Sequence, residues 1–162
     1  MTIMIRVKGA VQGVGFRPFI AELATKYGIR GQVKNIGAAV DILAIGDEDI
    51  LHSFTDSIKN EYPAGAFILD VDISDVTDLK KDDFKDFTIV QSNSVSLKDE
   101  LPVFLPDIGI CDDCMREMLD INDRRYRYPL ISCAVCGPRI SILNKLPYDR
   151  DTTTMIDFEM CP

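Results

Sequence analysis

The chain has 162 residues, of which 46% are hydrophobic and 27% are charged, a composition typical of a folded globular protein rather than a disordered one. Its formal net charge of −8 argues against a general nucleic-acid-binding protein, and its single histidine excludes a metal site built from several histidines. It has neither the long apolar run of a membrane-spanning helix nor a signal peptide, so we expect a cytoplasmic protein with no membrane partner.

The first predicted strand covers residues 3–8, where apolar and basic side chains alternate. A glycine-rich stretch, residues 9–15, separates it from a helix that has Pro18 in its first turn and stops at Gly28. Backbone N–H groups in such a loop, together with a helix N-terminus, can bind an anion, and Arg17 adds a guanidinium suited to phosphate. Glycine content alone also allows a tight turn without any ligand, which is the more common explanation.

The basic side chains are concentrated near this loop. Residues 1–35 contain six basic side chains and one acidic one, whereas the chain as a whole is acidic. A positively charged segment in an acidic protein can attract a small anion. Chance clustering of charges on solvated surfaces is the alternative explanation.

Two further strands are predicted at residues 31–36 and 38–45, joined by a hairpin turn, and a second helix starts at the acidic residues 47–49. A fourth strand follows, in which Phe67, Leu69, Val71 and Ile73 alternate with acidic residues and are expected to share the buried face. A last short strand is predicted around residues 87–89. The order βαββαβ predicts an α+β fold of the ferredoxin-like type over about 90 residues.

The connection through the first helix predicts that the first two strands run in the same direction. Their carboxyl ends then lie at one edge of the sheet. Arg17 and Asn35 can both face that edge, although they are 18 positions apart. The space between them could hold a phosphate group and a water molecule.

Residues 7–17, with the sequence VKGAVQGVGFR, closely resemble the acylphosphatase signature, and residues 31–35, GQVKN, resemble that family's second signature. The resemblance covers residues 1–92 and implies an acylphosphatase-like sandwich. It implies that Arg17 binds the phosphoryl group and that Asn35 orients the attacking water. It also implies that the phosphoryl group contacts the loop residues Ala10, Val11, Gln12, Gly13, Val14 and Gly15. Because an acyl phosphate already has a good leaving group, positioning and charge stabilisation can suffice for hydrolysis.

Residues 93–106 are predicted to form a linker, and residues 107–162 a second, small module. This module contains two CxxC pairs separated by 18 residues, formed by Cys111, Cys114, Cys133 and Cys136. The spacing predicts a structural Zn²⁺ site with four thiolate ligands and no open position. Two disulfides or an iron–sulfur cluster are the alternatives, but the spacing and the reducing compartment favour zinc.

The second module also resembles a known family. Residues 106–108, 123–129, 133–139 and 146–150 resemble the first zinc-finger region of the hydrogenase maturation carbamoyltransferases, the HypF family. Members of that family begin with an acylphosphatase-like domain and continue with two zinc fingers, a nucleotide-binding domain and a transferase domain. The resemblance covers all 162 residues. Cys161 would then be the first cysteine of a second finger, which predicts that the chain is a fragment.

This resemblance implies that the chain binds and hydrolyses carbamoyl phosphate as the N-terminal part of a carbamoyltransferase. The full-length enzyme would use ATP, in domains absent here, to carbamoylate the C-terminal cysteine of a partner protein during [NiFe]-hydrogenase maturation. Two other functions remain open at this point. One is a stand-alone acylphosphatase with a structural zinc module, and the other is a non-catalytic docking module that contains zinc.

Overall fold

The structure is a computed structural model that describes residues 1–77, 79, 84–91 and 109–158. The predicted linker, residues 93–106, and Cys161 lie outside the described residues, so the predicted module boundaries stay predictions. Within the described ranges, no helix is both long and apolar enough to cross a membrane.

In the described part of the chain, the first module consists of one mixed sheet and two helices. Its elements are β1 (Thr2–Ala10), α1 (Phe16–Tyr27), β2 (Arg30–Ile36), β3 (Ala39–Ile45), α2 (Glu48–Asn60), β4 (Phe67–Asp75) and β5 (Phe87–Ile89). The strands lie in the order β4-β1-β3-β2-β5. β5 pairs with β2 in parallel, and the other neighbours are antiparallel. This arrangement confirms the predicted α+β fold.

β1 and β2 run in the same direction because each of them pairs antiparallel with β3, which lies between them. Their carboxyl ends therefore meet at one end of the sheet, as the crossover through α1 predicts. The glycine-rich loop starts from the end of β1, and Asn35 lies next to the end of β2. The topology thus brings the two predicted signatures to the same end of the sheet.

One apolar core joins the sheet to α1 and α2. It includes Phe16 and Ile20 from α1, Phe54 from α2, and a row of strand residues from the sheet. Val11 and Val14, at 1% exposure each, also belong to this core, although they lie in the glycine-rich loop. Burying a side chain of this size stabilises a protein by roughly 1.5–3 kcal/mol. The loop is therefore anchored to the core by its apolar side chains.

The predicted buried face of β4 is wrong in part. Phe67, Leu69 and Ile73 are 51%, 56% and 47% exposed, and the β4 residues that pack against the core are Ile68 and Val71. A β-bulge is the cause, because the pairing with β1 shifts by one residue between Lys8 and Gly9 and leaves Leu69 without a partner. A bulge of this kind reverses which side chains face the core on one side of it. Ile73 is exposed as well, on a strand that lies at the edge of the sheet.

The second module has little regular structure and a very small core. It contains α3 (Asp112–Leu119) and three 3₁₀ turns at Ile140–Ile142, Arg150–Thr152 and Thr154–Asp157. Among the described residues, the fully buried members of its apolar cluster are Cys114, Ile131 and Cys136. A cluster of this size is too small to stabilise a module of about 50 residues without a cross-link such as a bound metal ion. The four cysteines are the residues that could hold such an ion.

Candidate anion site and metal centre

The glycine-rich loop presents a row of backbone donors ahead of α1. Gly13 and Gly15 have φ angles of 73° and 74°, a left-handed conformation that glycine adopts without strain. Gly15 is the N-cap of α1, so the loop leads directly into the positive end of the helix dipole. Among the residues that the structure describes, the backbone N–H groups of residues 11–15 have no hydrogen-bond acceptor. These groups are available to bind an anion.

Arg17 lies in the first turn of α1, and its side chain is 23% exposed. Its Nη2 atom donates a hydrogen bond of 2.6 Å to Oδ1 of Asp149, which belongs to the second module. Carboxylate and phosphoryl oxygens are the same kind of acceptor for a guanidinium. The side chain predicted to bind phosphate therefore already holds an anionic group from 132 positions along the chain.

Asn35 is buried at the end of β2 with 1% exposure. Neither its Nδ2 nor its Oδ1 atom has a hydrogen-bond partner within the described residues. Leaving a buried polar group unsatisfied costs about 1–3 kcal/mol, so such groups usually bind a water or a ligand. The environment of Asn35 suits the predicted task of holding a water molecule, which stays a prediction.

Gln12 connects the loop to two other parts of the chain. Its Nε2 atom donates to the carbonyl oxygens of Gly37 and Ala39, at 3.0 Å and 3.2 Å, in the turn that follows Asn35. Its Oε1 atom accepts a hydrogen bond of 2.8 Å from the backbone N–H of Tyr148 in the second module. The side chain thus fixes the loop against the β2–β3 turn on one side and the second module on the other.

The second module packs closely on the loop. A Cβ atom placed on Gly13 would lie 2.8 Å from Cβ of Pro138 and 2.9 Å from Cδ1 of Tyr148. A Cβ atom on Gly65, just before β4, would lie 2.8 Å from the carbonyl oxygen of Ala134. All three distances are shorter than a real Cβ atom tolerates. The two glycines therefore permit a tight contact between the modules at the predicted anion site.

The packing at Gly13 gives a testable prediction for stability. Gly13→Ala should lower the free energy of unfolding by about 2–5 kcal/mol, because left-handed strain costs roughly 1–2 kcal/mol and overpacking typically adds 1–3 kcal/mol. Gly28→Ala is the matched control, since Gly28 has a φ of 64° but no atom within 4 Å of an added Cβ. We expect the control to lose only about 1–2 kcal/mol. Urea unfolding of both variants tests this, and equal losses would mean that the contact with the second module is unimportant.

The four cysteines form a compact cluster. Their Sγ atoms all lie within 4.8 Å of one another. The Sγ–Sγ distances are 3.6 Å for Cys111 and Cys133, and 3.8 Å for both Cys114–Cys136 and Cys133–Cys136. A tetrahedral zinc with Zn–S bonds of about 2.3 Å requires sulfur atoms about 3.8 Å apart, whereas a disulfide requires about 2.0 Å. All four are free thiols, and their spacing suits a tetrahedral metal rather than the disulfide alternative.

Arg139 supports the second CxxC pair, a role that no sequence pattern indicates. Its guanidinium donates to Sγ of Cys136 at 3.1 Å and to the carbonyl oxygens of Cys136 and Ile131. Burial alone would raise the pKa of the Cys136 thiol, but N–H donors from the backbone of Cys133 and Cys111 and from Arg139 lower that pKa to about 6. Burial, and then contact with the other thiols, raises the pKa of Cys114. The protein itself thus favours the thiolate form of Cys136, and a bound metal cation would stabilise the thiolate forms of the other three cysteines.

Comparison with known families supports both halves of this description. The acylphosphatase family profile matches residues 3–89, which is more than half of the chain. The chain belongs to the acylphosphatase family. The profile of the HypF finger matches residues 110–143, which contain all four clustered cysteines. The predicted resemblance to the acylphosphatase and zinc-finger part of HypF proteins is therefore confirmed.

The relatives fall into two groups that differ in length. A probable carbamoyltransferase HypF from Methanocaldococcus jannaschii is 48% identical over 93% of this chain, but over only 19% of its own length. A structure of full-length HypF in the phosphate- and nucleotide-bound form superposes with a TM-score of 0.84 at 41% identity, covering 99% of this chain and 20% of that one. Acylphosphatase from Bacillus subtilis, at 37% identity and a TM-score of 0.51, covers 55% of this chain and 97% of its own. The chain thus spans about a fifth of the HypF relatives that it matches.

Proposed function

We propose that this chain binds carbamoyl phosphate and hydrolyses it, as the acylphosphatase and finger part of a HypF-type carbamoyltransferase. The observation that carries the proposal is the combination at one end of the sheet. There, loop N–H groups with no acceptor among the described residues precede α1, and Arg17 lies in the first turn of that helix. The buried amide of Asn35 likewise has no partner within the part of the chain that the structure describes. The similarity to carbamoyltransferases supports carbamoyl phosphate as the substrate.

Each of these groups has a distinct task in the proposed reaction. The loop amides and Arg17 hold the phosphoryl group and stabilise the negative charge that it carries through the reaction. Asn35 holds the water that attacks the acyl phosphate. The water cleaves carbamoyl phosphate into carbamate and inorganic phosphate. No strong base is needed, because the leaving group is already a good one and the main requirement is geometry.

We further propose that Cys111, Cys114, Cys133 and Cys136 hold one structural Zn²⁺. The Sγ–Sγ distances near 3.8 Å and the HypF finger profile support this ion. With four thiolates bound, the metal has no open position, so it would supply folding free energy rather than chemistry. The ion would hold residues 109–158 in the shape that packs against the loop.

The activity of a full-length HypF-type protein extends beyond these residues. We infer that the longer protein carbamoylates the C-terminal cysteine of a hydrogenase maturation partner, with ATP used outside the 162 residues. The similarity to carbamoyltransferases of about five times this length supports the inference. The cytoplasmic location stays a prediction.

Arg17→Ala should weaken the binding of inorganic phosphate by roughly 10–100-fold, because a charge-assisted hydrogen bond contributes about 1.5–3 kcal/mol. Arg17→Lys should restore only part of the affinity, since an ammonium lacks the planar fork of a guanidinium. The measurement is a titration with phosphate at constant salt, in which the NMR signals of the loop amides report binding.

Arg30→Ala is a suitable control for the loss of positive charge. Arg30 lies at the opposite end of β2 from Asn35 and donates to the carbonyl oxygen of Phe84. It should change phosphate affinity less than about twofold through screened charge alone. Unchanged phosphate affinity in Arg17→Ala would refute the assignment of Arg17 to phosphate binding. If the NMR signals of the loop amides do not shift when phosphate is added to the parent, the site itself is wrong.

A further inference from the structure

Asp149 is held firmly by the second module. Its carboxylate caps the 3₁₀ turn Arg150–Thr152 by accepting from the backbone N–H of Thr152. Its own backbone N–H donates to Oγ1 of Thr152 at 3.0 Å, and that hydroxyl in turn contacts the carbonyl oxygens of Pro147 and Asp149. These bonds fix both the main chain and the side chain of Asp149 before any contact with the first module is considered.

The residue before it is fixed to the glycine-rich loop. The backbone N–H of Tyr148 donates to Gln12, and the Tyr148 ring lies against Gly13. Tyr148 and Asp149 therefore contact three members of the predicted site in succession, Gln12, Gly13 and Arg17. The contact between Asp149 and Arg17 is thus part of a docked segment rather than an isolated ion pair on a mobile loop.

A cavity of about 370 Å³ opens beside this ion pair. The first module contributes Arg17 and Gln91 to its wall, and the second module contributes Lys145, Leu146, Pro147 and the residues from Asp149 to Thr152. Arg17 is the residue that the cavity shares with the predicted anion site, since neither residues 10–15 nor Asn35 line it. Three cationic side chains, Arg17, Lys145 and Arg150, outnumber the two carboxylates that line it, Asp149 and Asp151. A cavity with an excess of positive charge attracts anions. This cavity exists only when both modules are in contact.

From these contacts we propose that Asp149 is a positioning residue for Arg17, and that the second module takes part in the acyl phosphate site through this ion pair. The proposal rests on the function proposed above. An arginine side chain that is free to rotate must be ordered when a phosphoryl group binds, which reduces affinity. The fixed carboxylate of Asp149 orders the guanidinium in advance. A merely competing anion would move away when phosphate binds, whereas moving the Asp149 carboxylate away would break its capping bond with the backbone N–H of Thr152.

The test compares Asp149→Asn with Asp157→Asn. Both variants remove one negative charge from the second module, but Asp157 is exposed and does not line the cavity. Three quantities are measured: the order of the Arg17 side chain from its Nε–Hε NMR signal without ligand, the affinity for inorganic phosphate, and kcat and KM for carbamoyl phosphate. Zinc content and urea unfolding show that each variant is folded.

We expect Asp149→Asn to loosen the Arg17 side chain and to lower both phosphate affinity and kcat/KM by about 10-fold, the effect typical of removing a supporting group next to a site. Asp149→Glu retains the carboxylate and should restore part of the loss. Asp157→Asn should stay within about twofold of the parent, as expected for a screened charge.

Two results would overturn the proposal. Tighter phosphate binding in Asp149→Asn would mean that Asp149 competes with phosphate for Arg17. An unchanged Arg17 NMR signal in this variant would mean that Asp149 does not order the Arg17 side chain. The two hypotheses fail separately. A parent that neither binds phosphate nor hydrolyses carbamoyl phosphate refutes the proposed function, whereas the Arg17 signal without ligand still decides whether Asp149 positions that side chain.

Discussion

Asn35→Ala is expected to lower kcat for carbamoyl phosphate by about 10²–10³-fold, or roughly 2.7–4 kcal/mol, the usual cost of losing one group that acts in the transition state. The affinity for inorganic phosphate should stay within a few-fold of the parent, because the amide is uncharged. The loss should therefore appear in kcat rather than in KM. Folding should not suffer, since both polar atoms of the buried Asn35 amide lack partners in the described residues.

The measurement is the release of inorganic phosphate at saturating carbamoyl phosphate. Asn60→Ala serves as the control, because Asn60 is exposed at the end of α2 and its amide bonds only the carbonyl oxygen of Asp56. The control should match the parent in kcat. If Asn35→Ala also matches it, Asn35 does not position the water, and the site must be reassigned around Arg17 alone.

Replacement of one clustered cysteine should have the largest effect on structure. Cys136→Ser should abolish tight zinc binding and unfold residues 109–158, because the apolar cluster in the described part of this module has three fully buried members, two of them proposed metal ligands. Structural zinc supplies apparent binding free energies of about 10–16 kcal/mol in small fingers, which such a core cannot replace. The first module has its own core and should stay folded. Its loop amides should nevertheless shift, because Tyr148 no longer packs against Gly13.

Elemental analysis and amide NMR spectra test this prediction, with Cys161→Ser as the control that keeps one zinc per chain. In the parent, a thiol reagent should modify Cys161 while the four clustered cysteines are protected. Protection of all five thiols would mean that the ligand set is wrong. Iron, or no metal at all in a reduced and freshly purified sample, would contradict the zinc assignment.

Local patterns in the sequence were enough to predict the sheet and the order of its elements. The alternation in β1, the helix stop at Gly28 and the hairpin between β2 and β3 each depend on neighbours in the chain, and the structure confirms them. The face of β4 was not predictable in the same way. The bulge opposite Gly9 depends on how β4 pairs with β1, and residues more than 55 positions apart set that register.

The residues of the candidate site also differ in whether a local sequence pattern or a long-range contact defines them. The loop, Asn35 and the cysteines lie in short motifs with characteristic spacing, so the sequence could single them out. Asp149 could not be assigned a role, because its contact with Arg17 requires knowing how two modules dock across 132 positions. The sequence indicates residues 146–150 only through their resemblance to the first zinc-finger region of the HypF family. The close approach at Gly65 likewise appears only when the second module is in place.

The central claim is that one end of this sheet, closed by the four-cysteine module, is a site for an acyl phosphate. The most direct test is the release of inorganic phosphate from carbamoyl phosphate by the 162-residue chain with zinc bound. We predict saturable release that inorganic phosphate inhibits and that Asn35→Ala nearly abolishes. Release no faster than in buffer, together with loop amides that do not respond to phosphate, would contradict the claim.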